Sequence, residues 1–463
     1  MAGQLKKDTL VFREVLFQGI AASAPAGAAV ATLTGSAAFA LGSLPLATVA
    51  AFVIVLLNAI VVNRISEQVA GAGGYYEYAK QGFGKSVGSF VGWTYIVYQV
   101  FALAFIGLSI AVFVPALLSS VFSINVPGWL WFPLLVLTEG FGFLVSYLGV
   151  KGSLRWAMVM GSLEIVVVVA IGLIIVLSKP DINTVSVFTP KYAQGGVSGV
   201  ALGVLFAYTA FAGFGGATPL GEETKEAKKT VGRAVLLTSV ILGLFFIFAA
   251  YAFTVGWGPS NMSSYASALV PGISLTMQDV GLLAAVIITV FYINSILTDA
   301  VVFTNSASRV IFSMGRDKVL PSKLSAVHDV HKTPHVSAIV TVVAATAVGA
   351  ISVPLLGGGG FNAFLFTGVV STLGTLLVHM IANAALPAIR HRKKLSVGIL
   401  NVVLAIVTIG ALAYVFYGTF VSISTPVLVA AYLFAAWSIL GIIYIAARRS
   451  RTIEVADARP STP

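Results

Sequence analysis

Three carboxylic acids lie deep inside long apolar stretches of the sequence, where they could carry a proton or hold a charge. They are Glu139, Glu164 and Asp299, and no lysine or arginine lies at a comparable depth to neutralise them. A charge is costly inside a bilayer, so these acids are functional candidates, and an apolar surrounding favours the protonated form. We expect Glu164 and Asp299 to take part in proton coupling, and Glu139 to be structural. A permanently protonated or hydrogen-bonded structural carboxyl is the alternative for Glu164.

Asp299 belongs to a polar face of the apolar stretch 279–314. With an advance of about 100° per residue, Asn294, Thr298, Asn305 and Ser308 cluster on one side of a helix, with Asp299 at its edge. This face is a candidate lining for a pathway, and Asn305 is a candidate for ion coupling. Hydrogen bonding between helices is the commoner use of such residues and stays the alternative.

The sequence lacks the constellations that catalysis would need. It has no cysteine, which excludes disulfides, thiolate nucleophiles and cysteine-ligated metals. It has no HExxH motif, and its five histidines fall mostly between the apolar stretches. We therefore predict that the protein is not an enzyme, with no cofactor and no metal.

The composition predicts a protein that lives in the lipid bilayer. Of its 463 residues, 58% are hydrophobic and 9% charged, and the mean hydropathy is +0.99, whereas soluble domains are about 25% charged. The net charge of +11 falls in short pieces between apolar stretches, which argues against a nucleic-acid partner. No signal-type segment precedes the first apolar stretch, so we expect that stretch to remain in the mature protein.

Twelve apolar stretches are long enough to span a bilayer, which takes about 20 helical residues. They fall near 14–38, 45–64, 87–120, 129–150, 153–178, 196–220, 231–257, 279–314, 336–354, 361–386, 396–418 and 425–447. Of the 27 lysines and arginines, only Lys179 and Lys191 lie on the side opposite the N-terminus in this arrangement. The positive-inside rule therefore predicts a multi-pass plasma-membrane protein with both termini, 1–13 and 448–463, in the cytoplasm.

Helix breakers interrupt the first span. Pro25 and Gly27 stand at its midpoint, where a proline removes a backbone donor and a glycine weakens the helix. Backbone freed at membrane depth is tolerated where it is buried in protein or lines a wet cavity, so the break is a candidate ligand site. A plain proline kink is the alternative.

A second break lies in the sixth span, at 211–219, which contains Gly213, Gly215, Gly216 and Pro219. Five spans separate the two breaks, and an odd offset reverses the direction of the second unit, as an inverted repeat of five plus five requires. The repeats would be 14–178 and 196–386, followed by two further helices in 396–447. Close helix packing by glycine is the alternative.

Two facing breaks could bind a zwitterion, because half-helix amides face an anion and unwound carbonyls face a cation. The predicted contacts are the amides of Ser23, Ala24, Ala26 and Gly27 and the carbonyls of Thr209, Ala210 and Ala212.

These features together resemble the amino acid/polyamine/organocation (APC) superfamily of amino acid permeases. The motifs that carry the resemblance, over about residues 10 to 450, are Ala21 to Gly27, Ala72 to Tyr78, Phe83-Gly84, Gly149 to Arg155, Phe211 to Glu223 and Ser308 to Pro321. The resemblance implies an all-α membrane protein with twelve transmembrane helices in a LeuT-type fold, transport of amino acids, and a site on spans one and six completed by spans three, eight and ten. It adds Ala22, Tyr98, Phe211, Gly213 and Phe214 to the candidate substrate-binding residues.

The sequence departs from that family pattern at two positions. Gly215 stands where several relatives have an acid, and Thr209 stands where an aromatic residue often gates the pocket. Tyr208, Phe211 and Phe214 are the candidates for that gating role.

The sequence thus predicts a secondary active importer of amino acids that is proton-coupled and works by alternating access. Neutral substrates are favoured because no acid flanks either break. The alternatives are an amino acid exchanger and an amine or polyamine permease in which Asp299 or Glu164 holds the amine. Sodium-coupled members of the fold use eighth-span hydroxyls, so sodium coupling stays open.

Overall fold

The computed structural model describes residues 4–120, 122–268, 270–421 and 427–457. Within those residues the chain is helical and contains no strand, apart from an isolated bridge between Leu10 and Thr224. Ten helical segments in this part are long and apolar enough to cross a membrane, and an eleventh is added if Val197–Ala210 and Ala212–Leu220 count as one bent span. The prediction of an all-helical membrane protein is confirmed.

The longer helices follow the predicted apolar stretches closely. In the first half they are α1 (Phe12–Ala21), α2 (Leu33–Ala40), α3 (Leu44–Ser66), α4 (Tyr75–Phe83), α5 (Lys85–Ser120), α6 (Trp131–Leu148) and α7 (Val150–Ser178). In the second half they are α8 (Val197–Ala210), α9 (Ala227–Trp257), α10 (Pro271–Asp279), α11 (Leu282–Arg316), α12 (His335–Leu356), α13 (Phe361–Arg392), α14 (Ile399–Val421) and α15 (Val427–Asp457). Residues 1–3, 425–426 and 458–463 of the predicted segments lie outside the described residues.

The first helical segment, Phe12–Ser66, is 55 residues long. At about 1.5 Å per residue it is more than twice as long as a bilayer core of about 30 Å is thick. Within it, Leu41 has a positive φ of 45° and begins a short 3₁₀ turn, Leu41–Ser43. The segment is therefore too long for one crossing.

Three helices form the centre of the molecule. α5, α11 and α13 have most of their apolar surface buried, whereas α6, α12, α14 and α15 leave large apolar side chains such as Leu137 and Leu355 exposed. Exposed leucines on long apolar helices can contact the lipid tails of a bilayer.

The last helix is attached to the central helix α5 by two tryptophans. The indole N–H of Trp93 donates to the carbonyl of Trp437 (3.0 Å), and that of Trp437 donates to the carbonyl of Trp93 (3.2 Å). The rings stack with centroids 4.4 Å apart. α15 is thus anchored on the core by polar bonds as well as by apolar packing.

Candidate substrate site

The first helical segment breaks where the sequence predicts. α1 ends at Ala21, Ala24 has a left-handed backbone with φ 40°, and a new helical turn begins at Pro25. A left-handed conformation costs a non-glycine residue about 1 kcal/mol or more, so the surrounding structure must hold it. The amides of Ser23 and Ala24 donate to the carbonyls of Ile20 (3.1 Å) and Ala21 (3.0 Å).

The second break lies between α8 and the short 3₁₀ helices Ala212–Gly215 and Thr218–Leu220, which bend away by 43°. The two breaks touch backbone to backbone at Gly213. A Cβ atom at that position would lie 1.5 Å from the carbonyl oxygen of Ala22, so only glycine permits this approach.

A cavity of about 60 Å³ lies between the breaks. Eight predicted site residues line it: Ala22, Ser23, Ala24, Thr209, Ala210, Ala212, Gly213 and Asp299. Residues that sequence reasoning did not select complete the wall: Ala28 and Thr32 after the first break, and residues of α5 (Ala102, Phe105, Ile106, Ser109), α11 (Ile296, Phe303) and α13 (Gly368, Ser371, Thr372). At about 10–15 Å³ per water the cavity has room for roughly four to six water molecules, which suits a solute of a few heavy atoms.

The remaining predicted residues lie behind this wall. The hydroxyl of Tyr98 donates to the carbonyl of Ala212 (3.4 Å). Phe211 packs edge-on against Phe246 (5.0 Å), and Phe214 packs against His379 (5.3 Å). Gly27 is buried against Ile296, whose Cδ1 would be 2.7 Å from an added Cβ.

Glu164 lies behind the first break, where it joins three elements. Its two carboxylate oxygens accept from Asn294 Nδ2 and Ser295 Oγ of α11, each at 2.7 Å. The backbone amide of Ala26 is close enough to this carboxyl to stabilise its charged form. Two of the four amides predicted to bind a ligand carboxylate, those of Ser23 and Ala24, are already hydrogen-bonded in this conformation.

Asp299 has a different environment from Glu164. It is buried in the cavity wall, and its Oδ1 has no hydrogen-bond partner among the described residues. The two carboxyl groups are close enough to interact electrostatically. A buried acceptor without a partner is costly, so this oxygen calls for a proton or a ligand.

Asn305 lies outside the cavity wall, in a polar cluster on the side where the chain begins. It accepts from Ser146 Oγ (2.7 Å), and its carbonyl accepts from Arg309 (2.9 Å). Arg309 forms a two-pronged ion pair with Glu223, and both side chains are almost completely buried, at 1% and 2% exposure. The backbone amides of Thr9 and Leu10 donate to the Glu223 carbonyl, so the N-terminal segment is joined to the element that carries this ion pair.

The opposite side of the cavity is open to a vestibule. This second cavity, of about 490 Å³, shares Thr32, Phe105, Thr209, Gly368 and Thr372 with the first. Two stacked phenylalanine pairs stand in its wall, Phe39 with Phe206 (5.3 Å) and Phe105 with Phe364 (4.3 Å). The small cavity thus adjoins the larger one, and the buried Arg309–Glu223 pair lies outside the lining of both.

Gln18 is a site-supporting residue that sequence reasoning missed. Its side-chain nitrogen donates to the Val302 carbonyl (2.9 Å), Ser306 Oγ (3.1 Å) and the Gly216 carbonyl (3.3 Å). It therefore links α1 to α11 and to the second break. A polar residue alone in an apolar stretch was the signal that could have found it.

A bundle of long apolar helices, in which two broken segments meet at a cavity, is the architecture of a multi-pass membrane transporter. A family model described as amino acid permease matches residues 14–461. The chain therefore belongs to the amino acid permease family of the APC superfamily, and the family resemblance noted in the sequence is confirmed.

The chain is similar to three curated transporters at moderate identity. It is 27% identical over 320 residues to the low-affinity putrescine importer PlaP of Escherichia coli, covering 68% of each chain. It is 27% identical over 328 residues to the branched-chain amino acid permease BcaP of Bacillus subtilis, covering 67% of this chain and 68% of the relative. An uncharacterized transporter of Mycobacterium tuberculosis is 28% identical over 376 residues, covering 78% and 76%.

Proposed function

We propose that this permease is a secondary active importer of small neutral amino acids that is coupled to protons and works by alternating access. The observation that carries the proposal is a pair of buried polar groups in the cavity wall. Ser23 Oγ and Asp299 Oδ1 both lack a partner among the described residues. A hydroxyl can donate to a carboxylate and a carboxylate can accept from an ammonium, so a zwitterion satisfies both.

We propose twelve spans in a LeuT-type arrangement, in which the 55-residue first segment crosses twice by turning at Leu41. The inverted repeats are 14–178 and 196–386, and 396–447 adds two helices. With the basic residues inside, both termini are in the cytoplasm of the plasma membrane. The larger cavity then faces outward, and the buried ion pair of Arg309 and Glu223 closes the cytoplasmic side.

We propose that Glu164 and Asp299 form the coupling pair, with Asn305 joining Ser146 of α6 to Arg309 of the buried ion pair. Two neighbouring buried carboxyls do not readily carry two negative charges, so the pair shares one proton. A substrate ammonium draws the negative charge to Asp299, and the proton then resides on Glu164. Proton and substrate are thereby bound together, which is what symport requires.

A second candidate function is import of an amine or polyamine. It is favoured by the hydrogen bonds that the amides of Ser23 and Ala24 already make, because they occupy two of the four amides of the predicted carboxylate site. Similarity to a putrescine importer is in accord with it. In this case Asp299 holds an amine, and the coupling ion could be a proton or sodium.

The test is uptake by purified protein in liposomes, with and without an inward proton gradient and with and without sodium. The proposal expects alanine to accumulate only with the proton gradient, and expects alanine methyl ester and putrescine to compete weakly. The ester keeps the ammonium but loses the carboxylate. Strong competition by the ester and by putrescine would favour the amine candidate, and accumulation without any ion gradient, driven by internal amino acid, would indicate an exchanger.

A further inference from the structure

We propose that His379 is a positioning residue that fixes the break between α8 and the following 3₁₀ helices, and thereby sets the affinity of the site. It is a buried residue of α13 that does not line the cavity. The inference rests on the proposed function only in that one of its two tests uses substrate uptake.

The first contact of His379 lies immediately before the cavity wall. The hydroxyl of Tyr208 and the Nδ1 atom of His379 are 2.9 Å apart, and both residues are buried. Tyr208 directly precedes Thr209 and Ala210, which line the cavity. A hydrogen bond at this point therefore fixes where the wall begins.

The second contact lies immediately after the cavity wall. The ring of Phe214 meets the imidazole edge-on, with centroids 5.3 Å apart. Phe214 directly follows Ala212 and Gly213, the other cavity-lining part of the break. His379 thus holds both ends of the interruption, Tyr208 by a hydrogen bond and Phe214 by ring packing.

A third contact fills the space beside the break. The ring of Tyr75 lies 4.8 Å from that of His379, and its hydroxyl would be 2.0 Å from a Cβ at Gly215. Gly215 therefore leaves room for a side chain that arrives from α4, and His379 supports that side chain from the other face.

His379 is itself held in place by its own helix. Asn383, one turn further along α13, donates to Asn58 Oδ1 of α3 (2.8 Å) and to the His379 carbonyl (2.6 Å). The imidazole can therefore act as a fixed support, because its backbone is anchored to a third element.

The experiment compares His379→Asn, His379→Gln and His379→Leu in the liposome assay. Asparagine places an oxygen near the position of Nδ1 and can accept from Tyr208, whereas glutamine reaches the position of Nε2 and leucine accepts nothing. Loss of one neutral hydrogen bond should raise KM about fivefold in the Gln and Leu variants, with Vmax retained. His379→Asn keeps the hydrogen bond but not the ring contacts, so its KM should lie between those of the wild type and His379→Leu. Tyr208→Phe should also raise KM, and the double variant with His379→Leu should show less than the sum of the two effects.

The proposal is overturned if His379→Leu keeps the wild-type KM, if Gln restores the site and Asn does not, or if the Tyr208 and His379 effects add fully. If the His379 variants do not fold, Tyr208→Phe decides, because it removes a single oxygen. Failure of the wild type to take up amino acids counts against the proposed function alone. In that case labelling of Ala102→Cys in the cysteine-free chain by a membrane-impermeant maleimide decides. Its rate should change several-fold in His379→Leu and less in His379→Asn, and equal rates in all variants would overturn the proposal.

Discussion

The carbonyl oxygen of Ala22 lies against the Cα atom of Gly213, so the two helix breaks meet with no side chain between them. This contact leaves little room between the breaks, where the cavity has a volume of about 60 Å³. It also makes the site sensitive to a single methyl group.

Gly213→Ala should therefore lower uptake by about tenfold or more, because the added Cβ would lie 1.5 Å from a backbone atom and force the breaks apart. The measurement is initial uptake into liposomes at equal protein content. Gly140→Ala is the matched control, since no heavy atom of the described residues comes within 4 Å of a Cβ there. Equal uptake by both variants would show that the close approach is dispensable.

Glu164→Gln should abolish gradient-driven accumulation and preserve downhill uptake. Glutamine resembles the protonated acid in shape but cannot release a proton, so coupling is lost while the site stays formed. Glu139→Gln is the control, because Glu139 is a buried acid that accepts from Thr346 (2.5 Å) and lies outside the cavity wall. Full accumulation by Glu164→Gln would remove Glu164 from the coupling role.

Asp299→Asn should raise KM for substrates with an ammonium group about tenfold, because a charge-assisted hydrogen bond is replaced by a neutral one. The measurement is the concentration dependence of uptake at saturating proton gradient. Thr298→Val is a useful neighbour control, since Thr298 bonds the Asn294 carbonyl in its own helix (2.9 Å) and does not line the cavity. An unchanged KM in Asp299→Asn would place the ammonium elsewhere.

Arg309→Met should lower the free energy of unfolding by about 3–5 kcal/mol, because it leaves the carboxylate of Glu223 buried without its partner. Glu226→Gln is the control at the other extreme. Its ion pair with Lys229 is 72% exposed on both sides, so its loss should cost less than about 1 kcal/mol. Thermal unfolding in detergent measures the stability of both variants. Similar losses of stability in Arg309→Met and Glu226→Gln would contradict a special role for the buried ion pair.

The Asp317 carboxyl at the end of α11 gives a pH prediction. Burial raises its pKa, but hydrogen bonds from Lys80 and Tyr76 lower it more, so the pKa is below the usual value. A depressed pKa contributes stability above the unfolded value of about 3.9, and this stability is lost as the pH falls through the folded value. Asp317→Asn should therefore melt below the wild type at pH 7, and the gap should narrow below about pH 3.9. A difference in melting temperature that stays constant with pH would show that the ionisation of Asp317 does not contribute to stability.

The helices and both breaks were predictable because their causes are local. Apolar stretches of spanning length fix the helices, and Pro25 and the glycines near Gly213 fix the interruptions. The inverted repeat, the substrate contacts and the coupling residues stay predictions. The left-handed backbone at Ala24 was not predictable, because nothing in its side chain favours that conformation.

The partners of the polar residues were not predictable, because they depend on which distant helices meet. Glu223 and Arg309 are 86 positions apart, and Gln18 and Val302 are 284 apart. Likewise, the bonds of Glu164 to Asn294 and Ser295 depend on the packing of α7 against α11, which no local pattern records.

The reciprocal hydrogen bonds between Trp93 and Trp437 make the assembly of the bundle depend on the last helix, α15. A polypeptide that stopped before α15 would leave the indole nitrogen of Trp93 without its acceptor and expose a stacked aromatic face on α5 to the lipid. Such a truncated product would still contain every cavity residue, yet it should be poorly assembled and removed by cellular quality control.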